Sequence, residues 1–260
     1  MSSNDLALKD SGLPSRLVLL AAGLGVGVAA IILATLIFGK GSALAVLLLD
    51  YSDDTALPYP FSIQNLMHLM FFVGLAELFI RWKTAAFEMK FIGQGYLPED
   101  EESVLQVKDL GPIRRKVAGR FNGDDGFLPA LIDVSILQFQ AGRSVDQMVS
   151  VLNSSLELMA HRVDLRYSTV RYVAWLIPTL GFIGTVMGIS GALGYIDPDS
   201  MDLAAVTSRL AVAFNTTFVA LVESAVIVAG IHATQTKEEQ SLNLAGNYCL
   251  RNLVNRIYAG

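Results

Sequence analysis

Apolar and polar positions fall in long blocks along this chain, and four apolar blocks are long enough to cross a hydrocarbon core about 30 Å thick. After a polar segment of mixed charge, 1–16, Leu17 to Phe38 is unbroken and reads as the first span (17–38). A cleaved leader competes with that reading, because Ala43-Leu44-Ala45 resembles a small-residue cleavage site. The run is longer than the about 7–15 apolar residues of such a leader. In the following loop, 39–60, Ala43 to Leu49 is too short to cross and is expected at the interface or packed on neighbours. Asp50, Asp53, Asp54, Pro58 and Pro60 mark the rest of it as unable to sit in lipid. The second span, 61–82, is interrupted by Gln64, Asn65, His68 and Glu77. Glu77 and Arg81 stand four apart in the order that favours a pair. Arg81-Trp82-Lys83 has the composition of an interface anchor. His68 lies deeper and needs a partner or a protein-facing position.

Residues 83–170 make the one large polar region. Pro98 to Glu102, Gly111-Pro112 and Asn122 to Gly126 are breakers, so its middle is looped. Phe127 to Ala141 returns to helical spacing, and Gly142 ends it. Ser144 followed three residues later by Gln147 is a capping-box signature. Val145, Met148, Leu152, Leu156, Met159 and Val163 then recur every three or four residues. With no breaker before Pro178, the pattern predicts one long helix leading into a third span, 171–196. Asp197 to Ser200 opens a turn region, 197–209, before the last span, 210–231. In 232–260, Leu242, Ala245, Cys249, Leu253 and Ile257 share a helical face, with a flexible tail as the alternative.

Composition strengthens the membrane reading: 53% of the 260 residues are hydrophobic and only 17% charged. Soluble domains carry about 25% charged residues. The fold class read from the chain is therefore an all-α membrane protein with four transmembrane helices and long helical extensions. Basic residues fix the orientation. The region 83–170 holds ten, from Lys83 to Arg166, whereas the loops on the other face hold Lys40, with Arg209 at the boundary of the last span. This asymmetry puts 83–170 and both termini in the cytoplasm and the two short loops outside. A single cysteine, Cys249, rules out an internal disulfide and a cysteine-based metal cage. His68, His161 and His232 match no metal spacing. Gly23, Gly25 and Gly27 lack the strand a dinucleotide loop requires. No nucleophile–base set points to an enzyme.

Two spans carry the unusual chemistry. In the third, Gly181, Gly184, Gly188 and Gly191 form a helical ridge without side chains, suited to close helix packing in lipid. Thr185 adds a hydroxyl beside it, and Pro178 interrupts the hydrogen-bond ladder one turn earlier. The last span holds Asn215, Thr216, Thr217, Glu223 and Ser224. An acid at the centre of a span costs about 2.5–3.5 kcal/mol on insertion scales, so Glu223 must face protein or water. Glu223 shares its side with Thr216, while Thr217 lies about 100° around. Taken singly, each span fits interhelical packing alone.

Together they resemble a family. Ile177 to Ile189, IPTLGFIGTVMGI, is similar to the P-x-x-G-x-x-G-T-V-x-G-I signature of the MotA/TolQ/ExbB proton-channel family. Ala213 to Leu221 looks like that family's next helix, A-L-x-x-T-x-x-G-L, with Phe214 and Ala220 departing from it. The resemblance covers about 165–232. It implies a pentameric bundle in the bacterial inner membrane, around the helices of a one-span MotB/TolR/ExbD-like partner that supplies a membrane aspartate. It implies no cofactor, only a translocated ion, H+ or Na+. Thr185 and Thr217, with Thr216 and Asn215 beside them, would line the ion pathway. The ridge Gly181, Gly184, Gly188 and Gly191 would serve packing, and Pro178 bending. ExbB-like members carry a glutamate where this chain has Val212, so Glu223 stands as a pore-edge or intersubunit acid. A non-conducting scaffold and a small secondary transporter are the alternatives. No inverted repeat between the span pairs supports the transporter.

Overall fold

The computed structural model describes residues 14–52, 57–100, 102–118, 126–196 and 202–258. Its helices are α1 (Arg16–Ile37), α2 (Ala43–Leu49), α3 (Ile63–Ile92) and α4 (Val107–Val117), then α5 (Phe127–Gly142), α6 (Val145–Arg166), α7 (Ser168–Leu193) and α8 (Leu203–Asn252). Four helical stretches are long and apolar enough to cross a bilayer: α1, α3, α6 with α7, and α8. Among the described residues the only β pairing is a lone parallel bridge between Leu105 and Ile257. The expected turn at Asp197 to Ser200, Asp53 and Asp54, the breaker Asn122 to Asp125 and most of the N-terminal segment lie outside the described residues.

Helix bounds depart from the expected spans for local reasons. α3 continues ten residues past Trp82, because Lys83 to Ile92 contains no glycine or proline; Gly93 follows, and Gly95 takes φ 60°. α8 begins at Leu203, inside the expected turn region, where Asp202 Oδ1 accepts from the Ala205 amide at 3.1 Å. It then runs unbroken to Asn252, so the chain beyond His232 is helix rather than tail. The single long helix expected across 144–196 is interrupted at Tyr167, whose amide bonds Asp164 three residues back at 3.1 Å. The capping box at Ser144 is half formed. Ser144 Oγ accepts from the Gln147 amide at 3.3 Å, but Gln147 Oε1 turns to Gln138 Nε2 at 3.4 Å.

The chain folds as two compact units. The first is made of Phe79–Ser168 and the chain from Ala233 onward. Its core is built from α5 and α6, with Leu131, Ile132, Ile136, Met148, Leu152 and Val163 inaccessible to solvent. Leu242, Ala245, Cys249 and Leu253 of the predicted α8 face are buried as well, while Ile257 is half-buried. Buried acids here are fully engaged. Glu88 accepts from the amides of Gly126 and Phe127 at 2.9 and 2.8 Å, which satisfies the open start of α5. Glu238 accepts from Arg166 Nη1 at 2.6 Å and from Tyr167 Oη at 2.9 Å. Tyr167 is thus both the break between α6 and α7 and a buried anchor.

The second unit comprises Leu17–Leu78 and Thr169–His232. α1 buries only Gly27 and leaves Leu17, Leu33 and Leu36 exposed, as a helix facing lipid requires. α2 forms where a short interfacial piece was expected. Its Asp50 cap, read from sequence as part of a solvated loop, is instead 4% exposed. Asp50 adopts the left-handed conformation, φ 52° and ψ 44°, its amide bonding the Ala45 carbonyl, and this turn folds the side chain inward.

Candidate functional site

Within the second unit α7 and α8 run antiparallel, and the glycine ridge is their line of contact. Gly181 faces Ala220, Gly184 faces Thr216, Gly188 faces Ala213 and Gly191 faces Arg209. A Cβ on Gly188 would lie 2.7 Å from the Ala213 Cβ and 3.1 and 3.2 Å from its backbone, with nothing flexible to yield. A Cβ on Gly191 would meet only the Arg209 side chain, its guanidinium at 2.8 Å, so the contact is more forgiving there than at Gly188. The ridge that the spacing predicted meets Ala220, Thr216 and Ala213 of α8, with the longer Arg209 at its end.

Close approach brings two hydroxyls together. Thr185 and Thr217 hydrogen-bond each other across the helix pair, and both are half-buried. Thr185 Oγ1 also lies 3.1 Å from the carbonyls of Gly181 and Ala213, and Thr217 Oγ1 lies 3.2 Å from the Gly181 carbonyl. Two donor hydrogens thus have several acceptors within reach, so the pair can exchange partners without moving either helix. Thr216 is different: it is 1% exposed, sits under Gly184 and donates to the Val212 carbonyl at 2.8 Å. Asn215 is half-buried.

α7 stays helical through Pro178, which has no amide to give the Ala174 carbonyl. Ser224 of α8 supplies the missing donor, its Oγ 2.9 Å from that carbonyl. Hydroxyls commonly satisfy backbone groups freed by proline in membrane helices. Ser224→Ala is expected to cost about 1 kcal/mol by stranding the carbonyl, read as a lower thermal midpoint in detergent. Ser224→Thr should restore it. An unchanged midpoint in the alanine variant would mean that the carbonyl has another donor.

Residues 122–244 match the model of the MotA/TolQ/ExbB proton channel family. Over these residues the chain belongs to that family. The match takes in α5, α6, α7 and most of α8, and leaves α1, α2, α3 and α4 outside. No curated protein and no solved structure matches the chain. The signature read from sequence, Pro178 to Ile189, lies inside the matched segment, as do Thr185 and Thr217. The matched segment and the four long apolar helices together support a multipass membrane protein with a proton-channel segment of the MotA/TolQ/ExbB type.

The unmatched helices bring groups of their own to the MotA/TolQ/ExbB helix pair. His68 of α3 places Nδ1 2.5 Å from Glu223 Oε1 of α8, and Nε2 2.7 Å from the Leu48 carbonyl of α2. A carbonyl only accepts, so Nε2 carries a hydrogen. One further proton then lies between Nδ1 and Oε1, and the pair is neutral whichever atom holds it. Neutrality is what a low-dielectric interior favours. Glu223 is 7% exposed. Sequence reasoning left it between a pore edge and a subunit contact; its carboxylate engages a histidine of the same chain, and this pairing was not legible. The one signal in the sequence was that two costly polar residues, each needing a partner, stood in different spans.

Proposed function

We propose that this chain is the ion-conducting subunit of a complex that converts an ion gradient into mechanical work through a one-span MotB/TolR/ExbD-like partner. The observation that carries the reading is the hydrogen-bonded pair Thr185–Thr217, set within the family-matched helices on a contact kept open by glycine. Hydroxyls suit such a site because they both donate and accept. They also exert no fixed charge that would hold the partner's carboxylate ionised. An elementary charge crossing 100 mV yields about 2.3 kcal/mol, enough to bias a helix shift or a rotation. Thr216 and Asn215 flank the pair on the pathway, Pro178 gives α7 latitude to bend, and the transported ion is H+ or Na+.

The subunit is read as one of five, in a bacterial inner membrane, with both termini and 83–170 in the cytoplasm. Large apolar side chains stand exposed on both family helices, Phe182 and Val186 on α7 and Phe214 and Phe218 on α8, free to meet lipid or neighbouring copies. Native mass measurement of the complex, expressed together with the one-span protein of the neighbouring gene, is expected to give five copies of this chain and two of the partner. A stable assembly of another stoichiometry, or none, would overturn the pentamer.

A further inference from the structure

Two buried polar atoms on different elements of the second unit lack hydrogen-bond partners and belong to residues lining one small cavity. They are Oδ1 of Asp50, the cap of α2, and Nε2 of Gln64 on α3, whose residues are 4% and 1% exposed. The cavity, about 20 Å³, is also lined by Gly184 and Gly188 of α7 and by Thr216 of α8. A cavity needs roughly 10–15 Å³ of such space for one water, and the water needs two to four polar partners. An unpartnered acceptor and an unpartnered donor of a native interior call for an explanation.

We infer that Asp50, Gln64 and Thr216 form a proton-accepting site holding one water, against the glycine face of the Thr185–Thr217 helix pair. The water accepts from Gln64 Nε2 and donates to the Asp50 carboxylate. Its second hydrogen goes to Thr216 Oγ1, whose own hydrogen is committed to the Val212 carbonyl 2.8 Å away. When Asp50 takes up a proton, the acid donates to the same water, which still accepts from Gln64 and donates to Thr216. One water therefore serves both states of the carboxyl without moving a helix.

Charge and burial place the titration in a useful range. Asp50 is pushed up to about 6, since burial disfavours the carboxylate more than the Arg209 guanidinium of α8 favours it. Arg209 is itself held by Tyr195, donating to its Oη at 3.0 Å with the guanidinium 4.7 Å from the ring centroid. Arg209 is the charged group acting on Asp50 among the described residues. Because the folded-state value lies above the ordinary aspartate value of 3.8, the neutral acid is the form the fold favours. Its contribution to stability is full below about 4 and is lost as pH rises through about 6. Gly184 and Thr216 are chain neighbours of Thr185 and Thr217, so the site adjoins the channel residues. Its role as a proton waypoint rests on the channel reading; its existence does not.

The test is an infrared pH titration of the full-length protein in nanodiscs, following the carbonyl stretch of protonated carboxylic acids. A component with a midpoint of about 6 is expected in the unmodified protein. Asp50→Asn should remove it. Gln64→Leu, which keeps the carboxyl but strips the water of its donor, should raise the midpoint by about one pH unit, a tenfold change in proton affinity. Loss of the component in Asp50→Asn counts only if that variant keeps the elution volume of the unmodified protein, and Gln64→Leu covers the case in which it does not. An unaltered component in Asp50→Asn, or an unmoved midpoint in Gln64→Leu, would overturn the site. So would a midpoint that falls when sodium replaces potassium, which would mark a cation rather than a proton. The readout involves no ion flux. A titrating Asp50 in a complex that does not conduct would uphold the site and sink the channel reading.

Discussion

Changing Thr185 and Thr217 together to valine is expected to abolish ion-driven work while leaving the subunit folded. Valine nearly matches threonine in shape, so the glycine contact that seats α7 on α8 is kept. The hydroxyls' bonds to Gly181 and Ala213 reach carbonyls that α-helical geometry already supplies with amide donors. Interhelical bonds of this kind average about 0.6 kcal/mol in membranes, so the stability loss is expected to stay near 1–2 kcal/mol. The functional loss is of another order. Without hydroxyls, the helix pair has no group there to exchange hydrogen bonds with a carboxylate or a water that loads and releases an ion. Proton uptake into vesicles containing the complex should fall to the leak rate in the double valine variant. Thr185→Ser with Thr217→Ser should keep most of it. Uptake that survives in the double valine variant, with normal assembly, would reduce the pair to packing and favour a non-conducting scaffold.

Much of this site was legible because it depends on local periodicity. The ridge at Gly181, Gly184, Gly188 and Gly191 follows from spacing alone, and so does the amphipathic face of α8 that buries Leu242, Ala245 and Cys249. What periodicity cannot supply is the partner. Nothing in the order of residues says that Gly188 meets Ala213, or that Ser224 reaches the carbonyl Pro178 leaves open, because register between helices is set by packing over the whole interface. Asp50 shows the same limit from the other side. Neighbouring aspartates and prolines read as a polar loop, yet one left-handed turn buries its first acid. The interruption at Tyr167 escaped for a related reason. No breaker residue stands there, and the break accompanies a hydroxyl bonded to Glu238, 71 positions away.

The same long-range character makes the His68–Glu223 pair the sharpest test of how the unmatched helices serve the matched ones. His68→Leu is expected to destabilise the protein by about 3–5 kcal/mol, since it leaves a carboxyl buried without its partner. One oxygen, Glu223 Oε2, already lacks a hydrogen bond, so the residue has no second anchor in reserve. Removing both polar groups, with His68→Leu and Glu223→Leu, should recover most of that loss, because a buried pair exchanged for apolar side chains is often neutral. The coupling energy from unfolding of the two single variants and the double variant in detergent would thus be large and favourable. Ion uptake separates the remaining possibilities. If Glu223 acts only through His68 to hold α8 against α2 and α3, the double variant that recovers stability also recovers uptake. If Glu223 faces the pore or a neighbouring subunit, the double variant stays folded and uptake is lost with no gain in coupling. A coupling energy near zero would refute the pairing itself, since two groups 2.5 Å apart in a low-dielectric interior cannot be energetically independent.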